Sequence, residues 1–213
     1  MDVTERIKNC GIVPVIVLDS ADNAVMTARA LLAGGIDVME ITFRTSAAAE
    51  SIAKVAKEVP EMLVGAGTVV NAEQFNSAID AGARFIVSPG SDEELIKLAV
   101  SKNVPIFPGI VTPSELMVGL KHGLDHFKFF PAEISGGLNA IKTLSAVFSG
   151  VKFIPTGGIS EKNAADYFAN ESVAAIGGSW MASAKMIESG AYEEITKKSA
   201  EAVGIFKGKD ARR

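Results

Sequence analysis

One cysteine, Cys10, cannot close a disulfide within the chain or build a cysteine cage around a metal, and so sparse a usage suits a reducing compartment. Two histidines, His122 and His126, have the spacing of a metal pair, but Gly123 is expected to end a helix between them. They then face different ways, and no metal site is expected. Positive charge is not in excess. A net charge of -4 with a pI near 5.3 offers no broad attractive field to nucleic acid or an anionic membrane, so an anionic ligand has to be held by a local site. The expected partner is a small molecule. Long apolar runs are missing too: Gly, Asp and Arg interrupt each candidate before it reaches membrane-spanning length, and Met1 begins a polar, charged segment unlike a secretory signal. The expectation is a soluble cytoplasmic protein.

What the chain does have is apolar residues in short, regular bursts. Its 213 residues, 48% hydrophobic, suffice for a substantial core yet fit one domain, read here as residues 1–213. Apolar, β-branched runs recur at 11–18, 37–42, 63–68, 84–88, 104–108, 126–131, 151–156 and 172–177, beginning roughly 20 to 26 residues apart. Alanine-rich amphipathic segments lie between them, opened by helix-start signals such as Asp19-Ser20, Asn71 and Ser91 and often closed by glycine, as at Gly34-Gly35, Gly82 and Gly123. Strand then helix, eight times, with strands apolar almost throughout, predicts parallel strands covered by helices and, most simply, a (β/α)8 TIM barrel of the α/β class. An open doubly wound sheet has the same periodicity and stays open as an alternative. A short N-terminal helix over 1–10 is expected to close the barrel bottom, and a long helix from Tyr192 to Lys207 to end it, with a frayed tail from Lys207 to Arg213. Prolines at 14, 105, 108 and 155 suit central strands poorly and are expected at strand ends.

In such a barrel the chemistry gathers at the carboxyl ends of the strands. There the run His126-Phe127-Lys128-Phe129-Phe130-Pro131 sets one lysine inside an apolar strand. Removing an ammonium from water is costly and favours the neutral amine, the form that attacks carbonyls, so Lys128 reads as a Schiff-base lysine; a strand-end lysine snorkelling to solvent is the competing reading. Strand parity sends Phe127 and Phe129 outward and Lys128 inward, and in the second strand it sends Met39 and Ile41 outward and Glu40 inward. Glu40 is thus a candidate general acid/base, with a plain buried ion pair as the alternative. Arg44, at the rim, could grip a substrate carboxylate bidentately or pair with a helix carboxylate, and Thr68 and Pro89 would shape the wall beside it. Glycine pairs after the last two strands, Gly157-Gly158 and Gly177-Gly178, let backbone N–H groups approach a phosphate ahead of a helix start, with the Ser179 hydroxyl added, unless they are only tight turns. Trp180 reads as packing. Cys10 precedes the first strand without a base and is not expected to be a nucleophile.

These residues stand in longer segments: Pro14-Val15-Ile16, Glu40 to Thr45, Val64 to Val69, Ser88-Pro89-Gly90, Pro108-Gly109-Ile110, Phe127 to Glu133, Pro155 to Ile159 and Gly177-Gly178-Ser179-Trp180. Through them the chain resembles, essentially end to end, the 2-keto-3-deoxy-6-phosphogluconate (KDPG) aldolase family, whose members often also act as 4-hydroxy-2-oxoglutarate (KHG) aldolases. The resemblance implies a metal-free, cofactor-free class I aldolase on a (β/α)8 barrel, usually a homotrimer, of the Entner–Doudoroff pathway. It implies that Lys128 forms the Schiff base and Glu40 is the acid/base. It also implies that Arg44 and Thr68 hold the pyruvyl carboxylate beside Pro89 and Phe130, that Gly157, Gly158, Gly178 and Ser179 bind phosphate, and that Thr156 influences specificity. The Gly-Gly-Ser-Trp segment looks more like the phosphogluconate branch than the phosphogalactonate branch. A phosphogalactonate aldolase and a non-catalytic barrel that binds a sugar phosphate are the alternative readings.

Overall fold

A computed structural model describes residues 2–208. Among the described residues nine strands follow one another: β1 (Ile12–Ile16), β2 (Val38–Thr42), β3 (Leu63–Gly67), β4 (Ile86–Val87), β5 (Ile106–Phe107), β6 (Gly109–Ile110), β7 (His126–Phe129), β8 (Lys152–Pro155) and β9 (Ile176–Gly178). Helices α1 (Val3–Cys10), α2 (Ala24–Ala33), α3 (Ala48–Glu58), α4 (Ala72–Asp80), α5 (Glu93–Ser101), α6 (Pro113–Lys121), α7 (Gly137–Val147), α8 (Ala164–Phe168), α9 (Ala184–Glu188) and α10 (Tyr192–Lys207) alternate with them. Every strand pairing is parallel, in one sheet ordered β5-β4-β3-β2-β1-β9 and a second ordered β6-β7-β8. Every residue of β1, β2 and β3 is buried, because helices cover one face while the other faces the interior. Beyond Gly208 the expected frayed tail lies outside the described residues.

The start signals work locally as expected, with one shift. The Asn71 side chain accepts a hydrogen bond from the Gln74 N–H, and Thr112 with Glu115 forms a reciprocal capping box at α6. At α5 the cap is Asp92, which accepts from the Leu95 N–H, one residue past the expected Ser91; the Ser91 hydroxyl donates to the Gly109 carbonyl instead. Asp92 is the better cap because it adds a full negative charge at the helix's positive end.

The strands depart from expectation in three places. The run expected over 104–108 holds only β5: Pro108, which has no N–H to give to a ladder, separates it from a further strand, β6, that belongs to the other sheet. Pro14 is not at a strand end but in the middle of β1. It is tolerated there because β1 changes partner along its length, Ile12 to Pro14 registering with β9 and Val15 and Ile16 with β2, so one missing donor falls at the changeover. The last strand sits four residues later than expected, at Ile176, after Val173 has made an isolated bridge to Phe153.

At the opposite end from the rim, Ile7 of α1 lines the space between the strands. The Cys10 thiol donates to the Ile12 carbonyl at 3.3 Å, and burial pushes its pKa up to about 11, so it remains a protonated, inert thiol. Among the described residues no helix is long and apolar enough to cross a membrane.

Candidate active site

Lys128 and Glu40 meet inside the molecule. The Lys128 Nζ stands 3.4 Å from Glu40 Oε1, and the two side chains are only 6% and 3% exposed, so the lysine does not snorkel to water. The pairing follows from strand parity: each residue alternates with apolar neighbours that pack outward, leaving the polar chain to point in. Val13, Phe85, Val87, Phe107, Ile154 and Thr156 wall the pair, around a space of about 10 Å³. Among the described residues Glu40 is the sole hydrogen-bond partner of Nζ, and the Phe130 ring centroid lies 5.1 Å away. Charge-assisted N–H···O bonds are usually shorter, about 2.7–2.9 Å. One long contact for an ammonium's three donors compensates poorly for lost hydration.

The carboxylate fits because of a glycine inside the Val64 to Val69 segment that was given no task of its own. Gly67 ends β3 in register with Thr42, and a Cβ on it would stand 1.9 Å from Glu40 Oε1. Nothing local in the sequence signals this, since the two residues lie on neighbouring strands. The Gly67→Ala variant is expected to displace the Glu40 carboxylate and lower kcat by about 10²-fold, the scale of a 1 Å misplacement, with an unchanged circular dichroism spectrum. Full activity would remove Gly67 from the site.

Above this chamber a second space of about 280 Å³ opens to the rim, and it gathers Arg44, Phe130, Thr156, Gly157, Gly158, Gly178 and Ser179 on one wall. Thr156 lines both spaces and so joins them. Gly177, read from the sequence only as half of a phosphate-loop pair, also makes room for it: a Cβ there would lie 2.2 Å from Thr156 Oγ1. Gly157 and Gly158 have φ of 101° and 79°, a left-handed backbone that other residues adopt only at a cost. A Cβ on Gly178 would lie 2.0 Å from the Trp180 ring, which therefore packs against the loop, as read from the sequence. The helices behind these turns start later than expected, α8 at Ala164 and α9 at Ala184, and have five residues each. A turn in which the Ser160 N–H donates to the Asn163 side chain intervenes before α8, so the loop's own N–H groups, rather than a helix end, face the space.

Arg44 is presented by a tethered loop. The Thr42 hydroxyl donates to the Ile16 carbonyl at 3.0 Å, the Phe43 N–H to the Gly67 carbonyl at 2.7 Å, and the Thr45 hydroxyl to the Leu18 carbonyl. Arg44 itself is exposed and makes no ion pair among the described residues, so the helix-carboxylate reading does not apply.

Thr68 and Pro89 are not on this wall. Pro89 lines a neighbouring cleft of about 310 Å³ with Ser88 and Gly90, while Thr68 is half-buried with a left-handed φ of 57°. The histidines are apart, His122 paired with Glu93 and His126 with Asp125, and among the described residues no three His, Cys, Asp or Glu groups are placed to hold a metal.

Residues 3–198 match the family model described as KDPG and KHG aldolase. The KHG/KDPG aldolase of Escherichia coli strain K12 is 51% identical over 192 residues, 90% of each chain. The KDPG aldolase of Legionella pneumophila, solved with pyruvate captured at low pH as a covalent carbinolamine intermediate, superimposes with a TM-score of 0.91 at 40% identity, covering 95% of this chain and 98% of that one. The 2-keto-3-deoxy-6-phosphogluconate aldolase of Zymomonas mobilis ZM4, solved with 3-phosphoglycerate, gives a TM-score of 0.89 at 42% identity over 96% of each chain.

Proposed function

The chain belongs to the KDPG and KHG aldolase family, and from that premise we propose that it is a class I aldolase cleaving 2-dehydro-3-deoxy-6-phosphogluconate to pyruvate and D-glyceraldehyde 3-phosphate. It also cleaves 4-hydroxy-2-oxoglutarate to pyruvate and glyoxylate. The observation that carries this reading is the buried Lys128–Glu40 pair, joined through Thr156 to a rim of arginine and glycines. The Lys128 amine adds to the C2 ketone, and loss of water leaves a protonated imine. Glu40 takes the proton of the C4 hydroxyl, directly or through a water. The C3–C4 bond breaks with its electron pair drawn into the imine, and the aldehyde departs. Glu40 returns the proton to C3 of the enamine, and hydrolysis releases pyruvate and the free amine. The imine is the electron sink, so the scheme calls on no metal or cofactor.

In this reading Arg44 and Thr68 hold the pyruvyl carboxylate, Pro89 and Phe130 line that pocket, and Gly157, Gly158, Gly178 and Ser179 take the phosphate. Of the three substrate types, phosphogluconate, phosphogalactonate and hydroxyoxoglutarate, the first is expected to have the highest kcat/KM. Ser179→Ala is expected to lower kcat/KM for phosphorylated substrates by about 10-fold or more, the worth of a hydrogen bond to a charged group, and to leave hydroxyoxoglutarate cleavage unchanged. A loss common to both substrate types would take the phosphate away from Ser179.

The two sheets are read as one closed eight-stranded barrel in a single domain, its fifth strand interrupted at Pro108. Supporting this are the contiguity of β5 and β6 across that residue and the bridges Phe153–Val173 and Thr156–Gly177 on the other side. A homotrimer is part of the proposal; the exposed apolar Ile134, Val147 and Met117, at 87%, 72% and 58% exposure, suit a surface that associates. The assigned place is the cytoplasm and the Entner–Doudoroff route.

A further inference from the structure

The turn at Gly157 and Gly158 is braced from behind. Glu133 follows β7 by four residues, in a short 3-10 turn (Glu133–Ser135), and Tyr167 belongs to α8. The Tyr167 ring is 2% exposed, and its hydroxyl donates to Glu133 Oε1. The Glu133 stem lies flat on the turn: a Cβ on Gly158 would stand 2.5 Å from Glu133 Cγ and 2.7 Å from its Cβ. The carboxylate, engaged by Tyr167, sits beside Gly137, whose added Cβ would stand 3.2 Å from Glu133 Oε1 and 3.1 Å from the Tyr167 hydroxyl.

The same segment ties down the carbonyls of the turn. The Thr156 carbonyl accepts from the Ala132 N–H at 2.8 Å, the Gly157 carbonyl from the Glu133 N–H at 3.1 Å, and the Gly158 carbonyl from the Asn163 side-chain amide at 3.2 Å. In a trans peptide the N–H points opposite to the C=O of the same unit. Three consecutive carbonyls pulled toward 132–133 and 163 therefore turn the N–H groups of Gly157, Gly158 and Ile159 the other way, and all three residues line the 280 Å³ space. The N–H of Gly157 faces the neighbouring strand through the Thr156–Gly177 bridge, while those of Gly158 and Ile159 have no hydrogen-bond partner among the described residues. Backbone donors are rarely left without one, so the use of these two is to receive a ligand's acceptor oxygens.

We propose that Glu133 and Tyr167 are positioning residues for the phosphate end of the substrate. Their contact locks the Thr156–Ile159 turn with its amides presented, and it thereby sets the preference for phosphorylated over unphosphorylated keto acids. The inference rests on the reading that this wall takes a phosphate. Tyr167→Phe removes the hydroxyl and keeps the ring in the core, and Glu133→Gln keeps an acceptor for the hydroxyl.

Kinetics on both substrate types, with inorganic phosphate as inhibitor, test the proposal. Tyr167→Phe is expected to raise KM for the phosphorylated substrate and Ki for phosphate about tenfold, with kcat within twofold. KM for 4-hydroxy-2-oxoglutarate and the pyruvate–borohydride adduct should not change, and Glu133→Gln should recover most of the affinity. If Tyr167→Phe binds phosphate as the unaltered enzyme does, or loses both substrate types equally, the positioning role is overturned while the phosphate reading stands. If phosphate fails to compete even against the unaltered enzyme, the phosphate reading falls and takes the inference with it.

Discussion

Borohydride reduction in the presence of pyruvate adds a covalent adduct to this chain, and peptide mapping finds it on Lys128. The expectation follows from a single buried amine facing an acidic side chain at 3.4 Å. Hydride converts the imine, which water would otherwise cleave, into a secondary amine that survives digestion. Lys128→Ala should yield no adduct and lose at least about 10³-fold in kcat/KM, as removal of a covalent nucleophile does. Taking away one member of a buried pair destabilises by about 3–5 kcal/mol, so a thermal melt has to accompany the kinetics. Lys128→Met, which keeps most of the side chain's volume without the amine, separates lost chemistry from lost packing. An adduct on another lysine, or full turnover without this one, ends the Schiff-base reading.

Glu40→Gln should separate the two halves of the reaction. The amide matches the carboxylate in shape and still accepts a hydrogen bond from Nζ, yet it cannot shuttle a proton. Turnover is expected to fall by about 10²–10⁴-fold, the usual contribution of a positioned acid/base, while the borohydride adduct with pyruvate still forms at least in part. Loss of adduct together with turnover would mean that Glu40 serves only to hold the lysine in place. Equal rates for both proteins would leave it without a role. The comparison with Gly67→Ala is informative because that change moves the carboxylate without altering its chemistry.

The residues that sequence reasoning found are those whose signal is local. Lys128 and Glu40 stand out because a charge in an apolar strand breaks the pattern and period-2 parity then gives its direction. Helix starts at Asn71 and the extent of α10 follow from capping chemistry and periodicity over adjacent residues. What escaped is set by contacts between distant segments. Gly67 matters only because β2 lies beside β3, and Glu133 meets Tyr167 across 34 residues. The break at Pro108 and the place of Pro14 depend on which neighbour each strand pairs with, information that an apolar run does not contain. That Pro89 borders a neighbouring cleft is not legible either, because backbone direction after a strand is not encoded in its parity.

Thr156 borders the inner chamber and the outer vestibule at once. In the function proposed above this makes it a gauge of ligand length: a bulkier side chain would shorten the reach from amine to rim and narrow the doorway in the same stroke. Attempts to retune this protein toward longer or shorter keto acids at that position should find turnover and selectivity moving together, whereas changes farther out along the glycine loop can adjust the ligand's tail while leaving its head undisturbed.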